Sequence, residues 1–141
     1  MKTWVHLLAS SILALALYPL FNWKVLFVIV GGVLIDIDHY FWYIYKFRKF
    51  SLLNCYGYFI DGMDKDRIMK NLDILLVFHT IEFLLMAVLL SFYNELVLMF
   101  TIGLLLHYLL DGIFLYNVAK RLIVNPSIIS WLSKNLQIQK V

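Results

Sequence analysis

Four apolar stretches dominate this chain, and their length restricts what it can become. Trp4 to Phe21 carries His6 and two serines; Val25 to Tyr45 carries Asp36, Asp38 and His39. Leu72 to Tyr93 has Asp73 at its edge and His79 and Glu82 inside, and Leu96 to Val118 carries His107 and Asp111. Each runs 18 to 23 residues, the length with which an α-helix crosses a ~30 Å hydrocarbon core. Lipid offers no partner to a bare peptide group, so helices are the expected spans. No stretch alternates as a membrane β-strand does. The expected fold is all-α: a four-helix transmembrane bundle, up-down-up-down, forming a single integral membrane domain over 1–141 with spans near 4–21, 25–45, 72–93 and 96–118.

Composition supports this. Hydrophobic residues make up 63% of the chain and charged residues 15%, against about half and a quarter in soluble domains. With a mean hydropathy of +0.84, a soluble globule, a disordered tail, a nucleic-acid arm and a coiled coil are all poor readings. The single cysteine, Cys55, excludes an internal disulfide framework and a Cys-based zinc knuckle. In the loop it reads as a small packing residue.

Lys and Arg set the orientation. If the sides of the membrane alternate between spans, eleven of the twelve basic residues fall on one side: Lys2, Lys46, Arg48, Lys49, Lys65, Arg67, Lys70, Lys120, Arg121, Lys134 and Lys140. Only Lys24 faces the other, with Glu95. Both termini are therefore expected in the cytoplasm, with a prokaryotic plasma membrane as the host. A cleaved signal peptide competes for the first segment, because Lys2, an apolar run and Ala14-Leu15-Ala16 fit one loosely. The run nevertheless continues to Phe21, and its removal would put the termini on opposite sides.

Tight turns are expected around Asn22 and Asn94, which makes the joined spans antiparallel neighbours. In the longer link from Lys46 to Asn71, Asp61-Gly62 reads as a turn and Asp64 or Asp66 as a cap for helix 3. Asp61, Asp64 and Asp66 lack calcium-loop spacing and read as a solvated turn. The run Tyr40, Phe41, Trp42, Tyr43 and Tyr45 reads as an interfacial belt. Lys46, Arg48 and Lys49 give a topology signal and, secondarily, attraction to anionic headgroups. From about 126 to 138, Ile128, Ile129, Leu132 and Leu136 recur at helical spacing beside Trp131, as in an interfacial amphipathic helix.

All four histidines and four of the acids lie inside the apolar segments, whereas no Lys or Arg does. Four unpaired acids would cost on the order of 10 kcal/mol on insertion scales. Asp38 precedes Lys46 by eight residues, ~12 Å of helix, while His79 follows Lys70 and Asp111 precedes Lys120 by nine, ~13 Å. With His6 shallower, the polar residues of all four spans fall in the cytoplasmic half. His79 and Glu82, His107 and Asp111, and Asp36 and His39 each share a helix face. On a regular helix Asp38 points ~160° from Asp36; it then faces another neighbour, sits on an irregular helix near Gly31-Gly32, or supports a ligand from behind. Ionised, the four acids sum to −4, which protons on the acids, protons on the histidines or bound cations must offset. Imidazole nitrogens and carboxylate oxygens suit divalent Zn, Mn or Fe, and inward-facing His and carboxylate pairs build dinuclear sites in helix bundles. The expected cofactor is a divalent metal, foremost Zn, in two or more ions. His6 competes with an interfacial role, His39 with a helix cap, and Glu82 with orienting His79.

Gly31-Gly32-Val33-Leu34-Ile35-Asp36-Ile37-Asp38-His39 resembles the G-x-x-x-P-D-x-D-H signature of the YdjM-like membrane-bound metal-dependent hydrolases, with Ile35 in the place of Pro. Phe78-His79-Thr80 is similar to that family's second histidine motif, without the frequent following Arg. Gly103 to Asp111 resembles its G-x-x-x-H-x-x-x-D motif, and His6 an early family histidine. The resemblance covers roughly residues 3 to 115; Glu82 has no place in it. It implies Asp36, Asp38, His39, His79, His107 and Asp111 as metal ligands, with His6 beside them, and hydrolysis of a phosphoester of a lipid or lipid-like substrate at the cytoplasmic face. A bound ion would activate water, with Glu82 or Asp38 as general base. No Ser or Cys adjoins a His–acid pair as a covalent nucleophile. The rival readings are a haem protein, a proton or metal-ion transporter, and a non-catalytic subunit with a structural metal. Carboxylates beside the histidines disfavour haem, and the apolar outer half of every span disfavours a through-path. Membrane lipid is the expected partner; nucleic acid is not.

Overall fold

The computed structural model describes residues 1–60, 74–120 and 127–138. These are all-helical, with no strand among the described residues. Their α-helices are α1 (Thr3–Phe21), α2 (Leu26–Val33), α3 (Ile37–Phe47), α4 (Leu52–Ile60), α5 (Ile81–Ser91), α6 (Glu95–Ala119) and α7 (Ile128–Ile138), with 3-10 turns at Asn22–Val25, Leu34–Asp36 and Val77–His79. Two helical stretches are long and apolar enough to cross a membrane, Thr3–Phe47 and Glu95–Val118, while Ile81–Ser91 is apolar but shorter.

The first stretch contains a reversal. Asn22 takes φ 50°, ψ −138°, a positive-φ conformation outside the left-handed helical region, and the chain reverses there. Beyond it α2 returns along α1, with Ser10 against Gly32 and Ala14 in one cluster with Val28. The second predicted turn also forms: Asn94 Oδ1 accepts from the N–H groups of Leu96 (2.8 Å) and Val97 (3.4 Å), capping α6. An ion pair between Lys24 and Glu95 joins the two turns. α5 and α6 are antiparallel, since Thr101 Oγ1 donates to the Ala87 carbonyl (3.2 Å) and, further along, Tyr108 Oη donates to the Thr80 carbonyl (3.1 Å).

α2 and α6 run in the same direction and touch backbone to backbone. A Cβ added to Gly31 would strike the Phe100 carbonyl, and one added to Gly103 the Val28 carbonyl. Close approach through small residues is how helices gain contact where lipid supplies no hydrophobic drive. Apolar clusters flank this seam, with Ala14, Val25, Val28 and Met99 in one and Ile35, Ala87 and Leu104 in the other. Larger side chains, including Leu15, Leu20, Leu89 and Leu109, point outward.

Two predicted spans are not continuous α-helices. The second is interrupted by the 3-10 turn at Leu34–Asp36, entered through Val33 at φ −129°, ψ −48°. In the third, among the described residues, the long helix begins only at Ile81. Thr80 is extended (φ −94°, ψ 154°), and its side chain accepts from the Phe83 N–H as an N-cap. The broken backbone is satisfied from elsewhere: Asp38 Oδ2 accepts from the Phe78 N–H (3.1 Å), and Tyr108 Oη donates to the Phe78 carbonyl (2.6 Å). Irregular backbone is tolerable in an apolar setting when protein groups bind it.

The link after Lys46 contains an unforeseen helix, α4. Its Tyr58 and Phe59 rings pack on Trp42, and Tyr58 also meets Tyr43 and Phe47. Part of the aromatic run is thus an internal packing face with Tyr43 buried, while Phe41 and Tyr45 stay exposed. Cys55 is buried as expected; its Sγ lies 3.9 Å from the His39 carbonyl, and burial pushes the thiol pKa up. The turn at Asp61-Gly62, the caps at Asp64 or Asp66 and the acidic cluster lie outside the described residues, as does Asp73.

Candidate metal centre

Seven of the eight ionisable residues found inside the apolar segments of the sequence come together. His6 arrives on α1, Asp36 at the end of the 3-10 turn, Asp38 and His39 on α3, His79 before α5, and His107 and Asp111 on α6. Among the described residues they form three overlapping groupings able to hold a metal ion: His6, His107 and Asp111; Asp36, His79 and His107; Asp38, His39 and His79.

The middle grouping has the strongest geometry. His107 is fully buried, and its Nδ1 lies 2.9 Å from the Gly32 carbonyl. A carbonyl only accepts, so Nδ1 carries the proton and Nε2 of the neutral ring presents a lone pair. His79 Nδ1 lies 3.0 Å from Asp38 Oδ2, which by the same reasoning puts a proton on Nδ1; when the ring is neutral, Nε2 presents the lone pair. These two Nε2 atoms face each other at 3.2 Å. Asp36 Oδ1 lies 3.6 Å from His79 Nε2 and 3.5 Å from His107 Nε2, and Asp111 Oδ2 lies 3.9 and 3.3 Å from the same atoms. Two imidazole nitrogens with carboxylate oxygens of Asp36 and Asp111 beside them need a proton or a cation between them, and the N-terminal ammonium already lies 2.9 Å from the other oxygen of Asp111. Tetrahedral zinc with bonds of ~2.0–2.1 Å sets its ligand atoms ~3.3 Å apart. The donor set and most of its spacings therefore fit a divalent ion.

Asp38 serves this centre from behind. Oδ1 lies 3.0 Å from His39 Nδ1, and Oδ2 takes His79 Nδ1 and the Phe78 N–H. Carboxylate–imidazole pairs of this kind fix ring orientation and raise ligand basicity. The 3-10 turn is what lets Asp36 and Asp38 reach the same place despite their angular mismatch on a regular helix. Asp38→Asn is expected to weaken metal affinity ~10–100-fold while leaving the fold intact, measured by competition with a chromogenic chelator. An affinity equal to wild type would remove Asp38 from this role.

Glu82, expected above as ligand or base, lies in none of these groupings. Its carboxylate takes Ser127 Oγ (2.5 Å) and the N–H groups of Ile128 (3.2 Å) and Ile129 (3.4 Å). It thus holds the start of α7, where free N–H groups and the helix dipole favour an anion. The shared face with His79 is lost because the chain is extended at Thr80 between them. Glu82→Gln should leave metal content unchanged and speed amide hydrogen exchange at 128–138; a loss of metal without faster exchange would return Glu82 to the centre.

The sequence reading missed Tyr108, Thr80 and the Gly32 carbonyl, which shape the centre through hydrogen bonds. Tyr108 adjoins His107 and Thr80 adjoins His79, the one local signal available. Ser10, buried one turn after His6, packs against Gly32.

Fold and site define an all-helical chain with two candidate membrane helices and His/Asp groupings able to hold a metal ion. Comparison with protein-family models, curated proteins and solved structures gives no match.

Proposed function

We propose that the chain is a membrane-embedded, metal-dependent hydrolase of the YdjM-like kind, acting on a phosphoester of a lipid or lipid-like substrate. The observation that carries this reading is the meeting of His79 Nε2 and His107 Nε2 at 3.2 Å, with Asp36 Oδ1 and Asp111 Oδ2 beside them. In this reading the helices form a four-span bundle with cytoplasmic termini, the outward leucines face lipid, and α7 lies at the interface. The antiparallel pairs α1–α2 and α5–α6 and the 11-to-1 distribution of basic residues support it.

His79, His107, Asp36 and Asp111 hold the ion, with Zn preferred and Mn or Fe as alternatives. A divalent ion held by these residues would supply Lewis-acid chemistry, polarising a phosphoryl oxygen or lowering the pKa of a water. His107 is fixed by the Gly32 carbonyl, and His79 by Asp38. His39, whose Nδ1 lies 3.0 Å from Asp38 and which belongs to the third grouping, is a further candidate ligand. Lys46, in the last turn of α3, and Arg48 and Lys49 just past its end would attract an anionic headgroup.

The test is metal content by mass spectrometry after detergent purification, for wild type and Asp36→Ala, together with phosphate-ester cleavage in mixed lipid micelles with and without a chelator. Bound metal in wild type, its loss in Asp36→Ala and chelator-sensitive cleavage are expected. A metal-free wild type would end the reading; metal with no cleavage of any phosphoester would favour a structural metal.

A further inference from the structure

His79 reaches the candidate centre on broken backbone. The chain makes a 3-10 turn at Val77–His79 and is extended at Thr80 before α5 begins. A ligand carried on such a segment lacks the stiffness of a continuous helix, so its place depends on the hydrogen bonds around it. A phenol on α6 supplies them. Tyr108 Oη lies 2.6 Å from the Phe78 carbonyl and 3.1 Å from the Thr80 carbonyl, which belong to the residues on either side of His79. A hydroxyl has a single proton. The shorter bond is therefore the main one, and the Thr80 carbonyl, which also accepts from the Leu84 N–H at 3.1 Å, shares it. The Tyr108 ring lies along the His79 imidazole as well, with centroids 6.1 Å apart and planes 26° from parallel, within the range of offset stacking.

We propose that Tyr108 is a positioning residue of the metal centre, whose hydroxyl and ring fix His79 at the distance from His107 that an ion requires. The proposal rests on the metal-dependent reading and adds to it a residue to which the family resemblance assigns no role. Tyr108 follows His107 on α6. The helix that carries one imidazole thus also sets the place of the other, and the two Nε2 atoms stand 3.2 Å apart. Asp38 holds the same segment from α3, through His79 Nδ1 and the Phe78 N–H. The segment is pinned between two helices, and releasing either hold lets His79 move away from His107.

The experiment uses the whole chain in detergent. Tyr108→Phe keeps the ring and removes only the hydroxyl. It is expected to bind Zn²⁺ ~10-fold more weakly, at the lower end of the range for partners that orient a ligand, and to shift the visible absorption of bound Co²⁺, which reports ligand geometry. Thr101→Val is the matched control, because it removes another side-chain bond from α6 to α5, the one to the Ala87 carbonyl at 3.2 Å. It is expected to lower thermal stability and to leave Zn²⁺ affinity and the Co²⁺ spectrum as in wild type. A Tyr108→Phe protein with wild-type affinity and spectrum, or a Thr101→Val protein with the same losses, overturns the positioning role and leaves the hydrolase reading standing; a wild type that binds no metal overturns both. Should Tyr108→Phe fail to fold, infrared spectroscopy of wild type carrying a carbon-13 label at the Phe78 carbonyl decides the matter. Coupling is reciprocal, so a bond that favours metal binding is itself strengthened by the metal. The labelled carbonyl is expected to move to lower frequency when Zn²⁺ is added, and a frequency indifferent to Zn²⁺ overturns the proposal.

Discussion

His107→Ala is expected to empty the candidate metal centre and, under the proposed function, to abolish phosphoester cleavage. The loss should exceed the ~10–100-fold typical of removing a partner that only orients a ligand, because this imidazole is itself at the point of convergence. It is fully buried, its Nδ1 is committed to Gly32, and its Nε2 lies within 3.5 Å of His79, Asp36 and Asp111. Removing the ring also leaves the Gly32 carbonyl without this donor, and His6 without its stacking partner. Metal content and micellar phosphoester cleavage read the effect, with circular dichroism to confirm that the helices persist. A folded His107→Ala protein with undiminished metal affinity would show that the convergence of side chains has another purpose.

Gly103→Val is expected to disrupt the fold and, with it, the site. Overpacking a core costs ~1–3 kcal/mol when side chains can adjust. Here the new Cβ meets the carbonyl of Val28, a backbone atom that cannot turn aside, so the α2–α6 seam must open. That seam carries the Gly32 carbonyl and Asp36 on one side and His107 and Asp111 on the other. Loss of a monodisperse peak in detergent and loss of bound metal should therefore occur together. Gly32→Ala makes a graded comparison, because its Cβ would meet the side chain of Ser10. Ser10→Gly in the same chain should restore stability, whereas no side-chain deletion should rescue Gly103→Val. A stable, metal-replete Gly103→Val protein would refute the close seam.

The sequence made much of the centre legible because several of its determinants are local. His107 and Asp111 are four residues apart on an uninterrupted helix, so sharing a face follows from helical pitch, and their atoms do meet at 3.3 Å. Asn94 caps the helix that follows it through its own side chain. Glu82 shows where such local reasoning stops. Its spacing from His79 promises a shared face only if the helix is continuous there, and Thr80 breaks it.

By itself, then, the sequence determined the helical class, the apolar length of its segments and the presence of acids and imidazoles within them, since these depend on residue type and spacing along one strand of chain. Only the tertiary structure decided which nitrogen of each imidazole faces inward, that Asp38 stands behind His79, and that Glu82 belongs to α7. Those outcomes depend on hydrogen bonds between residues 40 or more positions apart: Asp38 with Phe78, His107 with Gly32, Glu82 with Ser127. Such bonds form only after the helices have packed, and no periodicity along the chain encodes them.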